Sequence, residues 1–239
     1  MTRLERDIQD RQEGRIMIEL KMATKIYETG AGRITAVDDV SLHVRDGEFV
    51  AVVGHSGSGK TTLVSLMGGL TRPSSGRVIV AGEDIWTLDN AGLARLRSEQ
   101  IGFCFQFSSL IPSLNSLDNV RLPASFAAGE KGAPGRALEL LELVGVKEKS
   151  KAYPQELSGG QQRRVAIARA LINDPRIILA DEPTGDLDEA TEADIMTLFE
   201  NLNRQGVTIV MVTHSRGLAQ RAGRMLTMKA GALEAEALA

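Results

Sequence analysis

The sequence predicts an α/β fold built on a largely parallel sheet with covering helices. Apolar strand-like runs alternate with helical segments along the chain. A glycine-rich loop separates a continuously apolar strand from a helix. A proline-punctuated helical stretch then interrupts the alternation. At 239 residues, with 43% hydrophobic and 25% charged side chains, the chain has the balance of a globular domain with one core and an added lobe.

Each element follows from its local pattern. Ile16 to Met22 (IMIELKM) alternates apolar and polar side chains, as a half-buried strand does, and Val40 to Val44 reads the same way. Glu48 to Val53 is more evenly apolar, which fits a strand covered on both faces. Gly54 to Gly59 breaks that run, and Lys60 to Leu70 then fits a helix. Residues 77–80 (RVIV) and 101–105 (IGFCF) read as further strands, the latter burying Cys104 as a structural thiol. From about Gln106 to Glu156, helical stretches near 117–127 and 134–145 lie between Pro112, Pro123, Pro134 and Pro154, the mark of an inserted lobe. A helix (Gly160 to Leu171), a strand (Arg176 to Asp181), a helix near 189–204, a strand (Val207 to Val212) and a short helix from Ser215 complete the pattern. Residues 1–15 are expected to be a charged, solvated lead-in, and residues 231–239 (GALEAEALA) a frayed or helical tail. Arg163 and Arg164 read as a solvated helix face with some packing.

Composition narrows the function classes. Net charge is -3, from 28 basic and 31 acidic side chains, which argues against a dedicated nucleic-acid binder. One cysteine allows neither an internal disulfide nor a cysteine-based zinc cluster. Three widely spaced histidines argue against a histidine metal site. No apolar run approaches the roughly 18 residues that cross a bilayer, and the N-terminus lacks an apolar signal region. Any membrane role is therefore expected to come through a partner.

Gly54-His55-Ser56-Gly57-Ser58-Gly59-Lys60-Thr61 fits G-x-x-x-x-G-K-[ST], a match expected in about one random chain in a hundred of this length. Glycines let backbone N–H groups turn inward around phosphate oxygens, where a Cβ would block the approach. The helix opening near Gly59 adds the positive end of its dipole. Lys60 can neutralise the β- and γ-phosphates, and the Thr61 hydroxyl can ligate Mg²⁺. Thr62 follows within the same loop. The apolar run ending in Asp181 and Glu182 places two acids at the carboxyl end of a central strand, beside such a loop. Asp181 is placed to hold Mg²⁺, and Glu182 to orient or deprotonate an attacking water.

Leu157-Ser158-Gly159-Gly160-Gln161 narrows the class further, since LSGGQ arises in only about a few random chains in ten thousand. Ser158 and the two glycines open a helix and expose N–H groups with a hydroxyl, a second anion site. With GHSGSGKTT, Gln106 after a strand, IILADE, Gly185-Asp186-Leu187-Asp188 and His214, these marks fall in one order. In that order the sequence resembles the nucleotide-binding subunit of ATP-binding cassette (ABC) transporters, from about Ile16 to Gly231. The resemblance implies a P-loop NTPase of the ABC type, with a mixed, largely parallel sheet and an antiparallel β region near the N-terminus. It places the ATPase domain at 16–231, a helical subdomain at about 106–158 and a tail at 232–239.

Further roles come from that resemblance. ATP and Mg²⁺ are the expected ligands. Two subunits are expected to meet head to tail, so that each LSGGQ (Ser158, Gly159, Gly160, Gln161) faces the γ-phosphate held by the other's loop. Tyr27 resembles the aromatic that stacks on adenine; a core or surface tyrosine is the plain alternative. Gln106 resembles the glutamine that touches Mg²⁺ or the attacking water and links the site to the helical lobe. His214 resembles the residue that contacts the γ-phosphate and supports Glu182, and Asp188 the aspartate at the dimer contact.

Within the family, DEPTGDLD and FQFSSLIPSLNSLDNV are most similar to the lipoprotein-releasing and macrolide-exporter branch, which includes a cell-division ATPase. His55 stands where proline is common in these loops, and Asp186 where asparagine is common. The implied function is an ATPase energising a separate membrane permease at the cytoplasmic face of the inner membrane, exporting lipoprotein, lipid or a hydrophobic compound. Two alternatives stay open: a regulatory ATPase of a cell-division permease-like complex, and a soluble ABC ATPase acting on nucleic acid or ribosomes. No nucleic-acid partner is expected for the first reading.

Overall fold

The apolar runs assemble into two sheets in a computed structural model, which describes residues 15–30, 32–126, 134–185 and 187–234. The first sheet is antiparallel: β1 (Ile16–Thr29), β2 (Gly32–Arg45), β4 (Ser75–Val80) and β5 (Glu83–Asp84), in the order β2-β1-β4-β5. The second has six strands. They are β3 (Phe49–Val53), β6 (Ile101–Cys104), β7 (Ile177–Asp181), β8 (Thr208–Thr213), β9 (Arg224–Lys229) and β10 (Ala232–Glu234). Their order is β10-β9-β3-β8-β7-β6, parallel except for the β9–β10 hairpin.

Period-two alternation divides this second sheet between two cores. Phe49, Ala51 and Val53 pack on one side with Ile178, Ala180, Ile209 and Met211. Val50 and Val52 pack on the other with Ile177, Leu179, Val210 and Val212. Every residue of β3, β7 and β8 is buried, as strands covered on both faces must be. The first core takes in α5 (Gly159–Leu171) and α6 (Glu189–Arg204), through residues such as Ile167 and Phe199. The second takes in α1 (Lys60–Met67) and the antiparallel sheet. The remaining helices are α2 (Asn90–Gln100), α3 (Ser116–Arg121), α4 (Pro134–Leu143) and α7 (Arg216–Ala219).

The helical lobe shares the first core rather than making its own. Ala137, Leu140, Leu141 and Val144 follow helical spacing on one face of α4 and its exit, and all join that cluster. Buried Asn119 ties the preceding turn: its carbonyl accepts from Ile111 N (2.7 Å) and its amide donates to the Ile111, Leu114 and Asn115 carbonyls.

Several elements differ from the sequence reading. β1 runs on to Thr29 through register shifts, with Met22 at a positive φ of 47°. The expected helix near 117–127 is α3 followed by a 3₁₀ turn at Leu122–Phe126, because Pro123 cannot donate within an α-helix. α1 stops at Met67, before Gly68 and Gly69. The 231–239 stretch does not start as a frayed or helical tail: Ala232–Glu234 pairs with β9 across a turn at Gly231 (φ 87°). α2, β9 and the first half of β2 had no counterpart in the reading. The lead-in (1–14), Asp186 and residues 235–239 lie outside the described residues.

Candidate nucleotide site

The site hangs on strand register. Val53 of β3 lies opposite Thr213 of β8, Val212 opposite Asp181 of β7, and Ala180 opposite Cys104 of β6. Each of these four parallel strands thus ends within one residue of its neighbour, and all four end within two. The glycine loop, His214, Asp181–Glu182 and Gln106 each follow one of those ends, the usual ligand edge of such a sheet. There they line a cleft of about 700 Å³ with His55, Ser56, Gly57, Gly59, Lys60, Thr61 and Thr62. Ile34, Thr35 and Ala36 of β2 line it as well.

The loop is braced from behind. A Cβ on Gly54 would meet Met228 O at 2.4 Å, and one on Gly59 would meet Ala36 O at 2.0 Å. Gly231 N donates to Ser58 O (3.0 Å), so the β9–β10 turn holds the loop as well. Gly57 differs. It has φ 77° but nothing within 4 Å of a Cβ, so its freedom serves the cleft side. Ser58 is buried, with its hydroxyl unpartnered among the described residues. Gly59 is the N-cap of α1, with no side chain capping that end and no acid in its first turn. Its free N–H groups suit an anion.

Lys60 is 8% exposed and donates to Gly54 O (2.7 Å) and His55 O (3.1 Å), with Nζ 3.9 Å from Glu182 Oε1. Glu182 Oε2 lies 3.0 Å from Nδ1 of His214. Glu182 itself has a positive φ of 46°, a left-handed conformation costing about 1–2 kcal/mol outside glycine. Its N–H donates to Val212 O (2.9 Å), which holds the turn. Strain of this kind is concentrated at working sites.

Asp181 is buried, and its Oδ1 has no hydrogen-bond partner among the described residues. Burial raises its carboxyl above the ordinary range, and the neighbouring Glu182 adds to this; a Thr61 hydrogen bond and Lys60 pull the other way. An orphaned carboxylate oxygen beside a hydroxyl fits a hard cation such as Mg²⁺, which takes one or two carboxylates and completes its shell with phosphates and water. No group of three or more His, Cys, Asp or Glu among the described residues could hold a metal alone. Cation and nucleotide would therefore be held together.

The structure does not bring every expected residue to this cleft. Tyr27 sits 39% exposed on β1 opposite Ile34, at the cleft's edge, with Lys25 Nζ 5.0 Å over its ring. Ser158, Gly159, Gly160, Gln161 and Asp188 line no part of it. Ser158 caps α5 in a reciprocal capping box: its Oγ accepts from Gln161 N (3.2 Å), and Gln161 Oε1 accepts from Ser158 N (3.0 Å). Asp188 caps α6 through Thr191, whose N and Oγ1 donate to it at 3.0 and 2.7 Å. These bonds lower the Asp188 carboxyl, the Thr191 hydroxyl most. A Cβ on Gly160 would stand 3.0 Å from Thr191 Cγ2, so the two motifs touch.

Two readings are corrected by burial. Arg163 is not on a solvated face: it is 7% exposed and donates to Phe105 O. Arg164 is only partly exposed and bridges Val144 O (3.0 Å) and Asp194 Oδ2 (2.8 Å). The bracing residues Met228 and Gly231 carry no local signal, because their contacts with the loop cross most of the chain.

The bracing gives a prediction. Gly59→Ala should lose ATP binding and unfold at a clearly lower temperature, because its Cβ meets backbone. Gly57→Ala bears only φ strain, about 1–2 kcal/mol, which lowers the unfolding temperature by about 2–8 °C. Thermal unfolding with a fluorescent-ATP titration separates them; equal losses would contradict the bracing.

Known proteins resemble this chain over most of its length. Residues 37–185 match the family model described as ABC transporter. The chain is 45% identical over 216 residues to a macrolide export ATP-binding/permease protein, MacB, of Hyphomonas neptunium, covering 90% of this chain and 34% of the relative. The chain thus spans about a third of that relative's length. It is 44% identical to an uncharacterized ABC transporter ATP-binding protein of Thermotoga maritima, covering 91% of this chain and 94% of the relative. Among solved structures it resembles a dimeric ATP-binding cassette in a post-hydrolysis state bound to ADP and Pi. That match has a TM-score of 0.86 and 42% identity over 92% of this chain and 97% of the other. With its phosphate loop, paired acids and LSGGQ helix in the family's order, the chain belongs to the ABC transporter family, as one of its ATPase cassettes.

Proposed function

We propose that this chain hydrolyses ATP in a site shared between two copies and thereby drives a membrane permease of the exporter branch. The cargo class is a lipoprotein, lipid or other hydrophobic compound. One observation carries the reading. The phosphate loop, Glu182 and His214 line one cleft, whereas the second anion site at Ser158–Gly160 faces solvent outside it. A second copy, packed head to tail, would bring its Ser158 to the first copy's phosphate. A dimeric cassette among the similar structures supports that arrangement.

The chemistry follows from the residues. Loop N–H groups and Lys60 bind the β- and γ-phosphates. Water attacks the γ-phosphorus, its proton passes to Glu182, and the bond to the β–γ bridging oxygen breaks to leave ADP and phosphate. His214 holds Glu182 Oε2 for that transfer. Tyr27, at the cleft's edge, would stack on adenine, and Asp188 would lie at the contact between copies. Asp181, Thr61 and Gln106 would hold Mg²⁺, which when bound neutralises charge on the phosphate oxygens. Lys60 and the opposing Ser158 stabilise the charge that develops in the transition state.

The permease would dock beside Gln106. An apolar groove of about 500 Å³ lies between β6, α2 and the lobe, lined by Leu70, Phe103, Phe105 and Phe126. Phe126 is 76% exposed, and Phe107 nearby is 74% exposed. No helix among the described residues is long and apolar enough to cross a membrane. Attachment at the cytoplasmic face of the inner membrane would come through the permease.

Glu182→Gln should keep ATP binding and lower turnover about a hundredfold or more, as loss of a general base does; turnover near wild type removes Glu182 from this role. Ser158→Arg places a bulky cation at the shared face and should abolish turnover while single-copy ATP affinity stays within about threefold; unchanged turnover contradicts a shared site. Tagged Glu182→Gln protein with ATP should recover a permease from solubilised membranes, identified by mass spectrometry. Recovery of ribosomes or DNA-bound proteins instead would overturn the permease reading.

A further inference from the structure

Helix α5 carries three side chains with no part in the nucleotide chemistry, and all reach one short segment. Ser108 Oγ donates to Gln162 Oε1 (3.1 Å). Arg169 donates to Ser109 O (2.7 Å) and Ser108 O (2.8 Å). Arg163 donates to Phe105 O. Gln162 also reaches back, its Nε2 donating to Pro154 O (2.9 Å) and Leu157 O (3.3 Å), just before Ser158. The segment held this way, 105–109, contains Gln106.

Burial makes Arg163 the informative member. A guanidinium at 7% exposure is costly unless hydrogen-bonded, and an apolar side chain of similar size would fill the space at lower cost. Its bond to the Phe105 carbonyl fixes the peptide plane that leads into Gln106. Gln106 itself is exposed and lines the nucleotide cleft. The backbone beneath it therefore sets where the amide points.

We propose that Arg163 is a positioning residue for Gln106. With Gln162 and Arg169 it fastens the Gln106 segment to the helix headed by Ser158, so that the two move as one body. This rests on the role assigned above to Gln106.

Cys104 supplies a built-in probe. It is the chain's one cysteine, 1% exposed, and adjoins Phe105. Burial pushes its thiol up to about 12, against the pull of Arg169 and Arg163. Loss of the Arg163 charge alone would make a still-buried thiol less reactive. Faster labelling in a variant therefore reports opening of the segment.

The experiment compares Gln106→Ala, Arg163→Met and the double variant. It reads kcat together with the rate of Cys104 labelling by an aromatic disulfide in nucleotide-free protein, after thermal unfolding confirms a folded chain. Each single change should lower kcat about tenfold, the cost of a misplaced group. The double variant should be no slower than the worse single, because coupled effects do not multiply. Labelling should rise about tenfold in Arg163→Met and stay at the wild-type rate in Gln106→Ala. Effects that multiply to about a hundredfold, or unchanged labelling in Arg163→Met, would overturn the proposal. An unchanged kcat in Gln106→Ala would instead remove the role of Gln106, leaving labelling to decide the fastening. If Arg163→Met does not fold, Arg163→Lys, which keeps the charge and loses the fork, should show the same pattern at about threefold.

Discussion

The alignment of four strand ends governs the chemistry of this chain. β3, β8, β7 and β6 are parallel neighbours, each ending within one position of register of the next and all four within two. A parallel ladder with both faces buried leaves little room to slip, since a one-residue shift would turn apolar side chains from one core to the other. The groups that follow those ends are therefore delivered to one edge. Lys60 comes from the end of the first loop, His214 from the second, Glu182 from the third beside Asp181 at its strand's end, and Gln106 from the fourth. No single loop has to be long or rigid by itself.

Local costs are accepted at that edge and offset by packing. Glu182 adopts a left-handed conformation, Asp181 keeps a buried oxygen without a hydrogen-bond partner among the described residues, and Lys60 is nearly enclosed. The loop that must hold phosphate is pressed against Ala36 on one side and Met228 on another. The antiparallel sheet and the final hairpin thus serve the site without contributing a reacting group. The helical lobe is continuous with the main core and is also linked to it by polar bonds from α5.

Much of the fold and site was legible because the informative signals are local. GHSGSGKT needs its glycines within eight residues, the acids follow directly on IILA, and LSGGQ caps its own helix. The family's fold, with its mixed sheet and antiparallel region, followed from their order. What escaped was set by distance along the chain. β9 is amphiphilic and short, and its place beside β3 is decided by a partner about 170 residues earlier. Residues 232–234 look helical by composition, yet pairing with β9 overrides that preference. Arg163 looked solvated because arginine usually is; only the three-dimensional position of Phe105 O makes its burial tolerable.

In the proposed shared arrangement one chain holds half of each site. The direct measurement is the mass of the Glu182→Gln protein by multi-angle light scattering, with bound nucleotide counted in the same peak. If the site is shared, ATP doubles the mass, each doubled particle holds two ATP, and ADP leaves the protein single. A protein saturated with ATP that stays single at every concentration would contradict it.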